Sequence, residues 1–168
     1  MTVTKAKSAP KGPPTTEERS TSKAKSRTLD PWRALGRRWH SLQKGFPQGT
    51  EPEWPLEIVD RIFELLEQVA GDDSLEFDQP DKVQVKPNGR NQAWAQIETK
   101  TPDSLKVTLA GPPEAVDMDQ FSALGINGPV DASDQHQTRV TLNLTKLQQV
   151  RSRKLKSFLK RHLEKSFQ

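Results

Sequence analysis

The chain has 168 residues, 32% hydrophobic and 29% charged, which fits one domain with a modest core and a tail. Its mean hydropathy is −0.83, and no apolar run approaches the roughly 18 residues a membrane-spanning helix needs. The absence of cysteine excludes disulfides, cysteine-based zinc modules, iron–sulfur clusters and thiol nucleophiles.

The formal net charge of +4 is the remainder of a strong division along the chain. Residues 1–50 carry 11 Lys+Arg and 3 Asp+Glu, residues 51–144 carry 7 and 18, and residues 145–168 carry 8 and 1. An acidic middle between two basic ends points to contact with a polyanion or to mutual docking of the charged parts. Three units follow. Residues 1–28 read as a disordered basic tail, residues 29–54 as an aromatic and basic docking segment, and residues 55–168 as an acidic body ending in a basic helix.

The tail is built from Lys, Ser, Thr, Ala and Pro and has no aromatic residue. Such a composition cannot bury enough apolar surface to offset its ordering entropy. Its start lacks the hydrophobic core of a signal peptide, and Pro10, Pro13 and Pro14 disfavour the amphipathic helix of a transit peptide. The expected location is cytoplasmic.

The docking segment holds three of the four tryptophans, Trp32, Trp39 and Trp54. Asp30 and Pro31 suit the start of a short helix over residues 31–35, and Lys44-Gly45-Phe46-Pro47 reads as a turn. Two uses fit. Trp32, Trp39, His40, Phe46 and Trp54 serve as anchors that pin the segment to the body, with the cations pairing outward. Alternatively, aromatics together with Arg37, Arg38 and Lys44 form a stacking and phosphate surface for nucleic acid.

Residues 55–70 form the clearest helix. Ile58, Val59, Ile62, Phe63, Leu65, Leu66 and Val69 recur at helical spacing, and Gly71 supplies the stop. Strand signals follow at residues 75–78, 82–86, 92–100 and 105–110, separated by short turns. A short helix over residues 117–125 leads into a polar loop through residue 137, and residues 138–144 alternate as a strand. The fold class expected is α+β, a mainly antiparallel sheet of four to five strands packed by helices on one face.

Thr145-Lys146-Leu147-Gln148 suggests a capping box opening the last helix. Its apolar stripe is Leu147, Val150, Leu155, Phe158, Leu159, His162 and Leu163. Arg151, Arg153, Lys154, Lys156, Lys160, Arg161 and Lys165 cover the rest, against a single acid, Glu164. Seven cations forgo the usual i,i+4 pairing, which makes this face a candidate for phosphate or an acidic partner. The plain alternative is a solvated helix balancing the acidic body.

No catalytic constellation is visible. His40, His136 and His162 lack metal-ligand spacing, Asp72-Asp73 and Asp117-x-Asp119 do not continue into a calcium loop, and no Gly-x-Ser-x-Gly elbow occurs. No metal or cofactor is expected.

The pattern Asp30-Pro31-Trp32, Gly36, Trp39-His40, Lys44-Gly45-Phe46-Pro47, Gly49 and Trp54 resembles the accessory C-terminal region of the excinuclease ABC component UvrA of planctomycete-type bacteria. The similarity continues through Trp94-Ala95, Thr99-Lys100 and Leu105 to the terminal helix, covering most of residues 28–168. The resemblance implies a module attached to, or working beside, the damage-recognition ATPase of nucleotide excision repair, with DNA and other excinuclease components as partners. It does not imply ATP hydrolysis here, because the chain has no Gly-x-x-x-x-Gly-Lys-Ser/Thr loop and no cysteine for the family's zinc modules. The function expected is a non-catalytic accessory module supporting DNA binding or complex assembly. An adaptor that meets only protein is the alternative.

Overall fold

A computed structural model describes residues 29–168. The disorder expected of residues 1–28 lies outside the described residues. The remainder is α+β, an antiparallel sheet with helices packed on one face.

The chain enters through two short helices, α1 (Pro31–Leu35) and α2 (Arg37–His40), joined at Gly36, whose φ of 51° is readily reached only by glycine. α1 forms where Asp30 and Pro31 predict it. Asp30 acts through its backbone carbonyl, which accepts from the N–H groups of Arg33 and Ala34, and not through a side-chain cap. A turn-rich stretch then leads to α3 (Glu57–Ala70), which begins two residues after Pro55 and buries Ile58, Val59, Ile62, Phe63, Leu65 and Leu66.

The sheet has six strands, β1 (Leu75–Glu76), β2 (Lys82–Val85), β3 (Ala95–Glu98), β4 (Leu105–Gly111), β5 (Val130–Asp131) and β6 (Thr138–Leu144), in the order β1-β2-β3-β4-β6-β5. All pairings are antiparallel. The alternation of β2, β3, β4 and β6 turns Val83, Val85, Ala95, Ile97, Leu105, Val107, Leu109, Val140, Leu142 and Leu144 toward the helices. The other face carries a cross-strand row of Gln84, Gln96, Thr108 and Thr141, polar and half-buried.

Two departures from the sequence reading concern the sheet. It has six strands and not four to five, because the polar loop before residue 138 contains β5. There Thr141 N–H donates to the Pro129 carbonyl at 2.9 Å. Gly128 permits the approach, since a Cβ at that position would collide with the Thr141 carbonyl. The regular ladder of β3 is also shorter than residues 92–100. Beyond it, Trp94 N–H donates to the Val85 carbonyl and the Trp94 carbonyl accepts from Ala110 N–H, while Thr99 N–H donates to the Asp81 carbonyl.

α4 (Met118–Ala123) is capped by Asp117, whose carboxylate accepts from Gln120 N–H at 3.0 Å. The C-terminal helix is two helices, α5 (Leu147–Val150) and α6 (Arg153–Ser166), broken at Arg151-Ser152 where Ser152 is extended. The residue that reaches back at the start is Gln149, one position beyond the expected Gln148. Its Oε1 accepts from the N–H groups of Thr145 and Lys146 at 2.8 and 2.9 Å.

α6 lies over β4 and against α3 and α4 with Leu155, Phe158, Leu159 and His162 buried. Trp94 Nε1 donates to His162 Nδ1 at 2.9 Å, tying the start of β3 to α6. Gly111 allows the close fit at the end of β4, because a Cβ there would lie 2.5 Å from Ser166 Oγ and 3.0 Å from His162 Cε1.

Candidate nucleic-acid interface

The two basic regions picked out from the sequence meet different fates. In residues 29–54 the polar groups are largely engaged with the body. Trp54 is buried at 3% exposure and its Nε1 donates to the Thr101 carbonyl at 2.9 Å. Trp39 Nε1 donates to the Pro80 carbonyl at 2.6 Å, and Gly45, at φ 89°, lies against the Trp39 ring. Phe46 packs beside Trp54 with ring centroids 6.2 Å apart. Trp32 is half-buried, and its indole nitrogen is enclosed without a partner among the described residues.

His40 is fully buried, edge-on to Phe63 and beside Phe77, with Nδ1 2.6 Å from Thr99 Oγ1. Burial is the main reason its pKa falls to about 4. The Lys100 ammonium adds to the shift, and Asp81 partly opposes it.

Lys100, absent from the candidate list drawn from the sequence, organises this region. It is 5% exposed, and its Nζ donates to the carbonyls of Trp39 and Leu42 at 2.8 and 2.7 Å and to that of His40 at 3.4 Å. The same nitrogen stands 5.3 Å from the Trp39 ring centroid and 5.2 Å from that of Phe46. It donates to carbonyls at and just beyond the end of α2, of which that of Trp39 also accepts from Leu42 N–H at 3.2 Å. Burial pushes its pKa down to about 8, so it remains mostly protonated at neutral pH. No local pattern marks Lys100, because its partners lie about 60 residues earlier in the chain.

Arg37 is likewise engaged. Its Nη1 donates to both carboxylate oxygens of Glu67 at 3.1 and 3.0 Å, and its guanidinium lies 5.4 Å from the Phe63 ring centroid. Ser41 Oγ donates to Asp60 at 2.8 Å. Of the three cations proposed here for phosphate, only Arg38 and Lys44 are exposed.

The C-terminal cations are placed otherwise. Arg151 sits on the break before α6, while Arg153, Lys154, Lys156, Lys160, Arg161 and Lys165 lie on α6, and all seven are exposed. Five ion pairs occur among the described residues, and none involves any of these seven. Lys156 Nζ donates to the neutral amide of Gln68 at 2.9 Å. Two shallow grooves flank the helix. One, toward α3, is lined by Arg61, Glu64, Gln68, Arg151, Arg153 and Lys156, with Glu64 paired to Arg61, and the other, toward α4, by Gln120, Ala123, Lys154, Ser157 and Arg161.

α3 separates the two basic regions. Its Asp60, Phe63 and Glu67 face α2, while Arg61, Leu65 and Gln68 face α5 and α6. Glu57, Asp60 and Glu64 are exposed on this helix, Asp60 on the side of Ser41 and Glu64 on the side of Arg151. Arg38 and Lys44 therefore do not join α6 in one basic surface.

His162, the apolar-stripe histidine of α6, is 1% exposed, and burial lowers its pKa to about 4. Because Nδ1 accepts from Trp94, the ring proton resides on Nε2. A second proton on Nδ1 would set donor against donor. Among the described residues no three His, Asp or Glu side chains gather as a metal site, and no helix is long and apolar enough to cross a membrane. No protein-family model, curated protein or solved structure matches this chain.

Proposed function

We propose that this chain is a cytoplasmic, non-catalytic module that binds nucleic acid through the phosphate backbone, with α6 as the contacting element. The single observation that carries the reading is the absence of any paired carboxylate for the seven exposed cations of residues 151–165 among the described residues. A set of like charges on one helix raises its own free energy, and a phosphate chain relieves it while releasing counterions. The resemblance of residues 30–54 to the accessory region of UvrA supports a place beside the nucleotide excision repair machinery, with excinuclease components as further partners.

The phosphate set proposed is Arg151, Arg153, Lys154, Lys156, Lys160 and Arg161, with Arg38 and Lys44 as a separate, weaker site across α3. Arg37 leaves that set because Glu67 already holds it.

Labelled duplex and single-stranded DNA titrated at two salt concentrations test the proposal. Affinity is expected to fall by roughly 0.7–0.9 log units per log unit of salt for each phosphate neutralised. The triple substitution Lys156→Glu, Lys160→Glu, Arg161→Glu is expected to abolish most of that binding. Binding without salt dependence, or unaffected by the triple substitution, refutes the reading. An adaptor that meets only protein would then be favoured by the exposed acidic face of α3, with Glu57, Asp60 and Glu64.

A further inference from the structure

The basic face of α6 has a centre. Ser157 is exposed, and the residues three and four positions on either side of it are Arg153, Lys154, Lys160 and Arg161. On an α-helix these four positions are the lateral neighbours of the residue between them, with Cβ atoms about 5–6 Å away. Four long cationic side chains thus surround one small hydroxyl. None of the four has a carboxylate within ion-pair distance among the described residues.

The arrangement is walled on one side. Gln120 and Ala123 of α4 line, together with Arg153, Lys154, Ser157 and Arg161, a groove of about 270 Å³. Ala123 keeps the wall low, and Gln120 offers an amide. Ser157 lines this groove with a small side chain that carries an O–H donor. Two acids lie nearby, Glu164 on α6 and Asp119 one turn before Ala123, and neither pairs with any of the four cations.

We infer that Ser157 marks a discrete seat for one phosphate of a nucleic-acid backbone, held by Arg153, Lys154 and Arg161 against the α4 wall, with Lys160 on the open side one turn along α6. The chemistry matches at each position. Two guanidinium groups supply forked donors, two ammonium groups supply mobile charge, and the hydroxyl supplies a short neutral donor to a phosphate oxygen. This inference rests on the nucleic-acid reading of α6 and goes beyond it, because a diffuse cationic face needs no particular residue at 157.

The test compares substitutions of equal charge change. Ser157→Glu and Lys165→Gln each lower the net charge by one, but only the first occupies the seat. Ser157→Glu is well tolerated by the helix, since its carboxylate meets four cations at favourable spacing. In duplex DNA titration at one fixed salt concentration, Ser157→Glu is expected to weaken binding tenfold or more, and Lys165→Gln by about twofold. Equal losses for the two variants overturn the seat and leave the nucleic-acid reading standing.

Absence of DNA binding by the unmodified chain overturns the nucleic-acid reading instead. Inorganic phosphate titrated into isotope-labelled protein then decides the seat alone. Backbone amide shifts centred on residues 157 and 123, and lost in Ser157→Glu, retain it for a phosphate ligand, while shifts spread evenly along α6 refute it.

Discussion

Residues 29–54 and the terminal helix both carry cations among bulky apolar side chains, yet the fold treats them in opposite ways. In the first, Arg37 is bound to Glu67, and the indoles of Trp39 and Trp54 donate to carbonyls of the body. Even the buried Lys100 serves this region, closing three carbonyls at the end of α2. In the second, Leu155, Phe158, Leu159 and His162 enter the core while every cation faces outward with no ion pair among the described residues. Cations thus differ in engagement between the two regions: Arg37 is held by an acid in the first, and none of the seven is paired in the second among the described residues. Only unengaged charge is free to act on a polyanion.

Acid should separate the core from the surface most strongly. His40 and His162 have folded pKa values near 4 against an ordinary 6.5, so their contribution is full above pH 6.5 and is lost as pH falls toward 4. The loss amounts to on the order of 3 kcal/mol for each histidine. Urea midpoints should drop steeply across that window, and His162→Gln, which keeps an acceptor for Trp94, should remove part of the dependence. A midpoint flat from pH 6.5 to 4 would contradict the buried neutral state of both rings.

Lys100→Met comes next. It removes the ammonium and strands the Leu42 carbonyl, while that of Trp39 keeps the Leu42 N–H donor, at an expected cost of about 2 kcal/mol in chemical denaturation. DNA affinity should be unchanged once the variant is folded. A loss of affinity without a loss of stability would move Lys100 from the engaged group to the functional one.

The smallest effect is the most direct contrast. Arg37→Ala should lower stability by about 1 kcal/mol, because a half-buried ion pair and a cation–π contact are lost together. Arg153→Ala should change stability by no more than about 0.5 kcal/mol, since it pairs with no acid among the described residues. In binding the order should invert, with Arg153→Ala weaker for DNA and Arg37→Ala unaffected. Equal effects of the two on affinity would mean that Arg37 also reaches phosphate.

Much of the body was legible because its periods are local. The alternation of residues 138–144 marks β6 to the residue, and the helical spacing from Ile58 to Val69 marks α3 within two residues of its start. β5 escaped because two exposed residues carry no period, and the strand exists only through its pairing with β6, next to the close approach that Gly128 permits. The break at Ser152 escaped because the apolar stripe of α5 and α6 runs on across it. Of the candidate site, the ring of cations about Ser157 is readable from i±3 and i±4 spacing, whereas the wall formed by Gln120 and Ala123 is not.

What the sequence determined by itself is the fold class, the basic face of the terminal helix and the aromatic character of residues 29–54. Each depends on composition or on a period within one segment. Which cations are engaged was decided only in three dimensions. The partners of Arg37 and Lys100 lie 30 and about 60 residues away, and α3 comes to rest between two basic regions that the sequence presents as one kind of surface. Ion pairing is a matter of distance across the fold, and distance along the chain does not predict it.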